Sequence, residues 1–371
     1  MEVEVKRGIK KRIFEPNEQI DLKASTIKEV VKLLEHYDLY SIDEDLNGRL
    51  FENFLEATVR GRELGQFFTP RSVVMFMSKM ANFKIDFEDK KPNKVLDACC
   101  GTGGFLIEAM AFMRQKIENN SSLSVEEKND LMKKLVNDCL YGIEASKPIA
   151  RVARINMYLH GDGGSRIYEA DSLDKNLTIE EGIDEELSFG LEELRDLLND
   201  GLKFDIVLTN PPFAMVYERK KDDEKKILDQ YALALGEGGK PRSSLKSSVM
   251  FLERYYELLE PHGKLLTIMD ESVLNTSSNK PFRDFIKSHF LVRAIISLPR
   301  NTFVNAGSGV KTSVLYLLKK KKLDETQPRT FMAISENVGH TDSGRRAPEL
   351  SDLDSILMEF RKYERGEIDQ S

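Results

Sequence analysis

The sequence predicts an α/β fold, a Rossmann-like and mostly parallel sheet preceded by a small helical segment. Two observations carry this expectation. From Lys94 onward, short β-rich runs alternate with amphipathic stretches, the pattern of strands and covering helices around a parallel sheet. The first run also opens directly into a glycine-rich turn and an apolar helix, as in folds that hold a nucleotide-like ligand at the strand ends.

The elements follow in order. Ile27, Val30, Val31 and Leu34 recur at helical spacing, and Leu46, Leu50, Phe51, Phe54 and Leu55 continue it, so residues 1–65 are read as a helical segment. Strands are expected at Lys94–Asp97, Leu140–Ile143, Arg166–Ala170, Phe204–Thr209, Lys264–Met269, Val292–Leu298 and Ser313–Leu318. Helices are expected at Phe105–Ile117, Glu126–Val136, Pro148–Leu159, Leu191–Leu198 and Val249–Leu259. No helix-length pattern separates the last two strands, so they are expected to pair as antiparallel edge strands. Glu218–Lys226, almost wholly charged, reads as a solvated, mobile insertion. Gly236–Ser248, with Lys240, Arg242 and Lys246, reads as a loop better suited to touching phosphates. Leu353–Tyr363 has the pattern of an amphipathic helix and precedes a polar tail. The divisions are therefore 1–65, a catalytic domain over 66–335, and 336–371.

A length of 371 residues with 40% hydrophobic content is enough for at least one substantial core. The charges are mixed, 55 Lys+Arg against 62 Asp+Glu, and the net charge of -7 argues against a self-sufficient clamp for a polyanion. The three cysteines, Cys99, Cys100 and Cys139, show no metal-ligand spacing and read as reduced thiols. The N-terminus lacks the apolar core of a signal peptide and no window reaches the length of a membrane span. A soluble, cytoplasmic protein without a metal is expected.

The first strand ends in Asp97 and leads into Ala98-Cys99-Cys100-Gly101-Thr102-Gly103-Gly104 before the helix at Phe105. Glycines allow the backbone to approach a ligand closely. The dinucleotide fingerprint would need a glycine where Leu106 stands, which disfavours a nicotinamide cofactor. Asp97 suits a ligand bearing an ammonium group, and it is equally suited to capping the next helix. Glu144 closes the second strand, where a carboxylate can accept both hydroxyls of a ribose, and Asp171 after the third can accept from an adenine amino group. Three acids after three successive strands point to one ligand along the carboxyl edge of the sheet.

The fourth strand runs into Asn210-Pro211-Pro212-Phe213. Pro211 biases Asn210 towards an extended conformation, and two proline rings fix successive φ angles and remove two backbone donors. The Asn210 side-chain carbonyl and the Pro211 backbone carbonyl can together accept both hydrogens of a planar amine. Such a nitrogen is a poor nucleophile until its lone pair leaves the π system, and two acceptors supply that polarisation without a charged base. Phe213 offers a flat face for a base rotated out of a duplex.

These residues resemble an amino-methyltransferase of the gamma order and, more closely, the modification (M) subunit of type I restriction-modification systems, over about Asn47 to Tyr363. The carriers are Gly65-Gln66-Phe67-Phe68-Thr69-Pro70, the Asp97–Phe105 turn, Gly142-Ile143-Glu144, Asn210-Pro211-Pro212-Phe213 and Leu298-Pro299-Arg300-Asn301-Thr302-Phe303. The resemblance implies an S-adenosylmethionine-dependent methyltransferase sheet with an antiparallel final strand, acting on the N6 amine of adenine in DNA. It implies that Gln66, Phe67, Phe68, Thr69, Pro70, Asp97, Gly101, Thr102, Gly103, Gly104, Phe105, Glu144, Asp171 and Asn210 hold the cofactor. Phe303 would support the other side of the flipped adenine. A specificity (S) subunit to read the DNA and a restriction (R) subunit are the implied partners, which would answer the acidic balance. The chain departs from the family in Ala98, where a proline is common. A protein methyltransferase acting on a glutamine amide shares the same core and remains an alternative, as does a non-catalytic assembly subunit.

Overall fold

The computed structural model describes residues 2–4, 10–12, 19–36, 69–161, 166–179, 185–306 and 309–367. Much of the expected N-terminal helical segment lies outside them, including the Leu46–Leu55 pattern. Of that segment the structure describes helix α1 (Ala24–Leu34), which buries no residue among the described ones, and, where helix was expected, an antiparallel strand pair, Glu2–Glu4 with Lys10–Arg12.

The centre is an eight-stranded sheet. Its strands are β1 (Val95–Asp97), β2 (Leu140–Glu144), β3 (Ile167–Glu169), β4 (Phe204–Thr209), β5 (Leu259–Asp270), β6 (Phe290–Ser297), β7 (Thr312–Lys319) and β8 (Phe331–Ile334). The order across the sheet is β8-β6-β7-β5-β4-β1-β2-β3. Strands β1 to β5 run parallel to one another, and β7 is antiparallel to both β5 and β6. All seven strands expected from the sequence are present.

The expected antiparallel pairing of β6 with β7 is present, and only their place at the edge needs correcting. The antiparallel strand is β7, which is interior, and it is not the last strand of the sheet. Strand β8 follows and pairs in parallel with β6, covering the side that would otherwise be an edge. With only four residues, two of them exposed, β8 carries too little alternation to be recognised from sequence.

Successive residues along the strands feed opposite faces, as a pleated sheet requires. Val95, Leu140, Ile206, Leu208, Leu266 and Val314 pack under one face; Leu96, Tyr141, Val207, Leu265 and Leu315 pack under the other. Because helices cover both faces, these strands read as continuous apolar runs. On the first face lie α2 (Arg71–Ala81), α3 (Gly104–Glu118), α4 (Val125–Asp138), part of α5 (Lys147–Leu159) and, from the far end of the chain, the helix Leu353–Glu364. On the second lie α6 (Glu185–Asn199) and, beyond a charged helix described below, Ser247–Leu258 and Lys280–His289.

Two connections position the site. Helix α2 brings its first turn to the carboxyl ends of the strands because Val73, Phe76, Met77 and Met80 are buried along one stripe. Its last carbonyls are held by Lys264 of β5, whose ammonium donates to Ala81 at 2.6 Å and Asn82 at 3.2 Å. Helix α4 is opened by a capping box in which Ser124 and Glu127 satisfy each other's backbone N–H groups. Neither α2 nor Lys280–His289 was expected from periodicity.

The segment Glu218–Lys226, expected to be a mobile insertion, is ordered instead. Val216–Glu218 pairs antiparallel with Ser244–Lys246, and α7 (Asp222–Leu228) follows, stapled by Lys221 to Glu224 at 2.7 Å and Lys226 to Asp223 at 3.1 Å. A run of mixed charges at helical spacing can support a helix as readily as a solvated loop. Gly236–Ser248 likewise contains the second strand of this hairpin rather than loop throughout.

Gly142 in β2 is a point of close approach, since a Cβ there would lie 2.5 Å from Ile167 Cδ1 and 3.0 Å from Leu106 Cδ1. Gly142→Ala is expected to destabilise the fold by about 1–3 kcal/mol through overpacking. Calorimetric unfolding showing an unchanged midpoint would contradict that.

Candidate active site

Strand order reverses between β1 and β4. From β1 the chain winds outward through β2 and β3, and from β4 it winds the other way through β5. In open α/β sheets this switch point leaves a crevice outside the carboxyl ends of the strands. Here the crevice is a cavity of about 420 Å³, within the range of small-molecule sites, whose walls include Thr69, Asp97, Gly101, Glu144, Asp171 and Asn210.

Each acid is held in a defined orientation. Asp97 is buried at the end of β1, and its Oδ1 accepts from the Thr209 hydroxyl at 2.7 Å and the Cys99 N–H at 3.2 Å. Burial is the dominant influence on its carboxyl, pushing it up to about 7 against the two hydrogen bonds. Glu144, at the end of β2, receives one backbone N–H on each oxygen, from Gly101 at 3.1 Å and Ser146 at 2.9 Å. Asp171 accepts from Leu173 N–H at 2.9 Å on Oδ1 and from the Tyr217 hydroxyl at 2.6 Å on Oδ2, and its pKa is raised, chiefly by burial.

The turn between β1 and α3 lets the backbone join this wall. Gly101 and Gly103 have φ of 53° and 86°, left-handed values that favour glycine, and Gly103 stands immediately before the helix. Gly101, Thr102, Gly104 and Phe105 line the cavity. Burial also raises the pKa of Cys99 and Cys100, so both are neutral thiols.

Asn210, Pro211 and Pro212 line the same cavity. The Asn210 Nδ2 donates to Thr69 Oγ1 at 3.0 Å, while its Oδ1 is buried with no hydrogen-bond partner among the described residues. A buried acceptor left unmade costs about 1–3 kcal/mol, a cost that a donor supplied by a ligand would relieve. The Pro212 carbonyl is already used, accepting from Ser247 at 2.9 Å.

Phe213 and Phe303 are buried against each other, with ring centroids 5.6 Å apart in an edge-to-face contact, and neither lines the cavity. Both are thus placed behind the Asn-Pro-Pro turn, with the face of Phe213 covered. Pro70 is the residue before α2, and Gln66, Phe67 and Phe68 lie outside the described residues. Of the basic residues in Gly236–Ser248, Lys240 is exposed, Arg242 sits 5.3 Å over the Phe282 ring, and Lys246 bonds Ser272 at 3.0 Å and pairs with Asp270 at 3.5 Å.

Two residues at this site were not singled out in the sequence, Thr209 and Tyr217. Both tie the segment around the Asn-Pro-Pro turn to a carboxylate on the other wall. The signal for Tyr217 was weak but present in the short β-prone run Met215-Val216-Tyr217, whose strand pairs with Ser244-Leu245-Lys246.

A cavity lined by three oriented acids, a glycine turn and an amide with an unpartnered acceptor, at the switch point of a Rossmann-like sheet, places the chain in the fold class of the S-adenosylmethionine-dependent methyltransferases. The chain belongs to the N-6 DNA Methylase family, whose profile matches residues 42–370. It is 23% identical over 331 residues to the type I restriction enzyme MjaIX methylase subunit of Methanocaldococcus jannaschii, covering 87% of this chain and 50% of that one. It is 27% identical over 303 residues to the type II restriction enzyme and methyltransferase RM.BcgI of Heyndrickxia coagulans, covering 80% of this chain and 38% of the relative. The chain thus spans about half, or less, of the length of these curated relatives. Among solved structures, the type I restriction-modification methyltransferase subunit of Streptococcus thermophilus superposes with a TM-score of 0.64 at 20% identity, covering 93% of this chain and 62% of the other.

With the Asp97 carboxyl near 7, protonation in the empty site opposes capture of a cation as pH falls. A ligand placing an ammonium group on Asp97 must release that proton. Its affinity is expected to weaken by up to about tenfold per pH unit below neutrality. Calorimetric titration with S-adenosylmethionine at about pH 8 and about pH 6 checks this, and Asp97→Asn should both weaken binding and flatten the pH dependence.

Proposed function

We propose that this chain is the catalytic subunit of a type I restriction-modification complex and that it transfers a methyl group from S-adenosylmethionine to the N6 amine of an adenine rotated out of DNA. The observation that carries the reading is that Asn210, whose Oδ1 has no partner among the described residues, lines the same cavity as three oriented carboxylates. Family membership and the type I methylase subunits among the relatives support adenine in DNA as the target.

The residues fit the cofactor. Asp97 has an oxygen free of partners among the described residues for the ammonium group. Glu144 is held by two N–H groups in an orientation suited to a ribose diol. Asp171 stands after β3 for the adenine amino group. When bound, S-adenosylmethionine supplies an electrophilic methyl group on its sulfonium.

On the target side, Asn210 Oδ1 and the Pro211 carbonyl accept the two N6 hydrogens and draw the nitrogen lone pair out of conjugation. Their dipoles also stabilise the positive charge that develops on nitrogen, and the surplus proton then passes to water. A target base must displace or slide past the Phe213–Phe303 contact, gaining an aromatic neighbour as it does so. A net charge of -7 fits a subunit that relies on a specificity partner to hold the duplex, with a restriction partner to cut it.

Asn210→Ala is expected to lower methyl transfer to DNA by about a hundredfold or more while leaving cofactor binding intact. Asp97→Ala and Glu144→Ala should lose cofactor binding itself. Transfer of tritiated methyl to DNA, measured beside a glutamine-bearing release-factor substrate, separates the outcomes. Label in the protein substrate alone would refute the adenine reading.

A further inference from the structure

With a net charge of -7, any contact this chain makes with a polyanion must come from a local group of bases. In Gly236–Ser248 two of the three bases are engaged within the chain, Arg242 over the Phe282 ring and Lys246 on Ser272 and Asp270. A different pair stands open elsewhere. Arg345 and Arg346 are both exposed, and among the described residues neither guanidinium has a hydrogen-bond or ion-pair partner. Neighbouring guanidinium groups repel, so an anion that joins them relieves that repulsion as well as forming bonds.

The turn that carries them is a short hairpin. Thr341 N–H donates to the Arg345 carbonyl at 2.9 Å, Gly344 N–H to the Thr341 carbonyl at 2.8 Å and Ala347 N–H to the Gly339 carbonyl at 2.9 Å. Gly344, with φ of 78°, supplies the left-handed residue the turn requires. Because β8 runs parallel to β6, the segments that follow both strands share the carboxyl edge of the sheet. There they are joined. Asn301 Nδ2 donates to Asp342 Oδ1 at 2.9 Å, and the buried His340 ring sits between the Thr302 carbonyl, 3.3 Å from Nε2, and the Thr341 carbonyl, 3.2 Å from Nδ1. The segment after β6 also carries the exposed Arg300 and Phe303, the ring that packs on Phe213 behind the Asn-Pro-Pro turn. The arginine pair is therefore fastened to the element beside the place a target base would enter.

We infer that Arg345 and Arg346 grip backbone phosphates of the DNA strand next to the rotated adenine. The inference rests on the proposed function. Planar guanidinium forks bond phosphate oxygens two at a time, and such contacts fix register without reading sequence, which leaves base recognition to a partner. The acid of the same turn, Asp342, bonds Asn301 and pairs with neither arginine.

The test uses the full chain co-purified with its specificity partner and follows binding of a mixed-sequence DNA duplex by fluorescence anisotropy across a range of potassium chloride. Each lost phosphate contact lowers the slope of log affinity against log salt by about 0.9, so Arg345→Ala/Arg346→Ala should lower it by about 1 to 2 and weaken binding about tenfold or more at ~0.1 M salt. The KM for DNA should rise accordingly, with kcat at saturating DNA and the calorimetric Kd for S-adenosylmethionine each within about threefold of the parent. Arg345→Lys/Arg346→Lys keeps the charges and should keep the parental slope to within about 0.5. Lys321→Ala/Lys322→Ala removes the same charge from an exposed turn at the other end of β7, and should leave the slope unchanged.

A parental slope and affinity in the double alanine variant would overturn the inference. So would an equal effect from the Lys321 and Lys322 control, which would make net charge the cause, or loss of the specificity partner from the double alanine variant, which would make the pair a protein interface. A parent complex that methylates no DNA would overturn the proposed function itself, whereas an active parent with a silent double alanine variant removes only the role of the arginines.

Discussion

The site depends on the adjacency of two strand ends. Strands β1 and β4 are hydrogen-bonded neighbours although more than a hundred residues separate them, and the Thr209 hydroxyl bridges their carboxyl ends to Asp97 at 2.7 Å. One side of that bond belongs to the carboxylate wall and the other to the residue immediately before Asn210. A shift of β4 by one residue would reverse which side chains face each layer and carry Asn210 away from the cavity. The apolar side chains packed on both faces of these strands therefore fix the chemistry as well as the stability. The hairpin that follows repeats the arrangement through Tyr217 and Asp171, so the turn is tethered at both ends.

Much of the sheet could be read from sequence because buried parallel strands are short apolar runs with β-branched residues, and Phe204–Thr209 or Leu140–Glu144 has few other interpretations. The three acids and the Asn-Pro-Pro turn were legible for a related reason. Each stands directly after such a run, where topology brings strand ends together whatever the intervening length. The parts that were misjudged lacked this anchor. Strand β8 is too short and too exposed to show a period, and α7 is stabilised by charge pairs that composition cannot distinguish from a solvated loop.

Contacts between distant segments were invisible for another reason. The sequence presents Thr69, Thr209 and Tyr217 as ordinary polar or aromatic residues, and nothing in their local spacing says which atom each will meet. That Asn210 would use its nitrogen on Thr69 and keep its oxygen unpartnered emerges only when α2 is packed against the sheet. Likewise, a phenylalanine after two prolines suggests an available face, whereas packing buries the ring against Phe303.

This last contact gives the catalytic pocket a self-closing character. The two rings, 5.6 Å apart, pack against each other instead of lining the cavity. Under the proposed reading, a visiting base exchanges one aromatic neighbour for another and gains little from stacking alone. Discrimination is thereby shifted onto the polar amide, and a base that cannot donate an N–H to Asn210 has small incentive to stay.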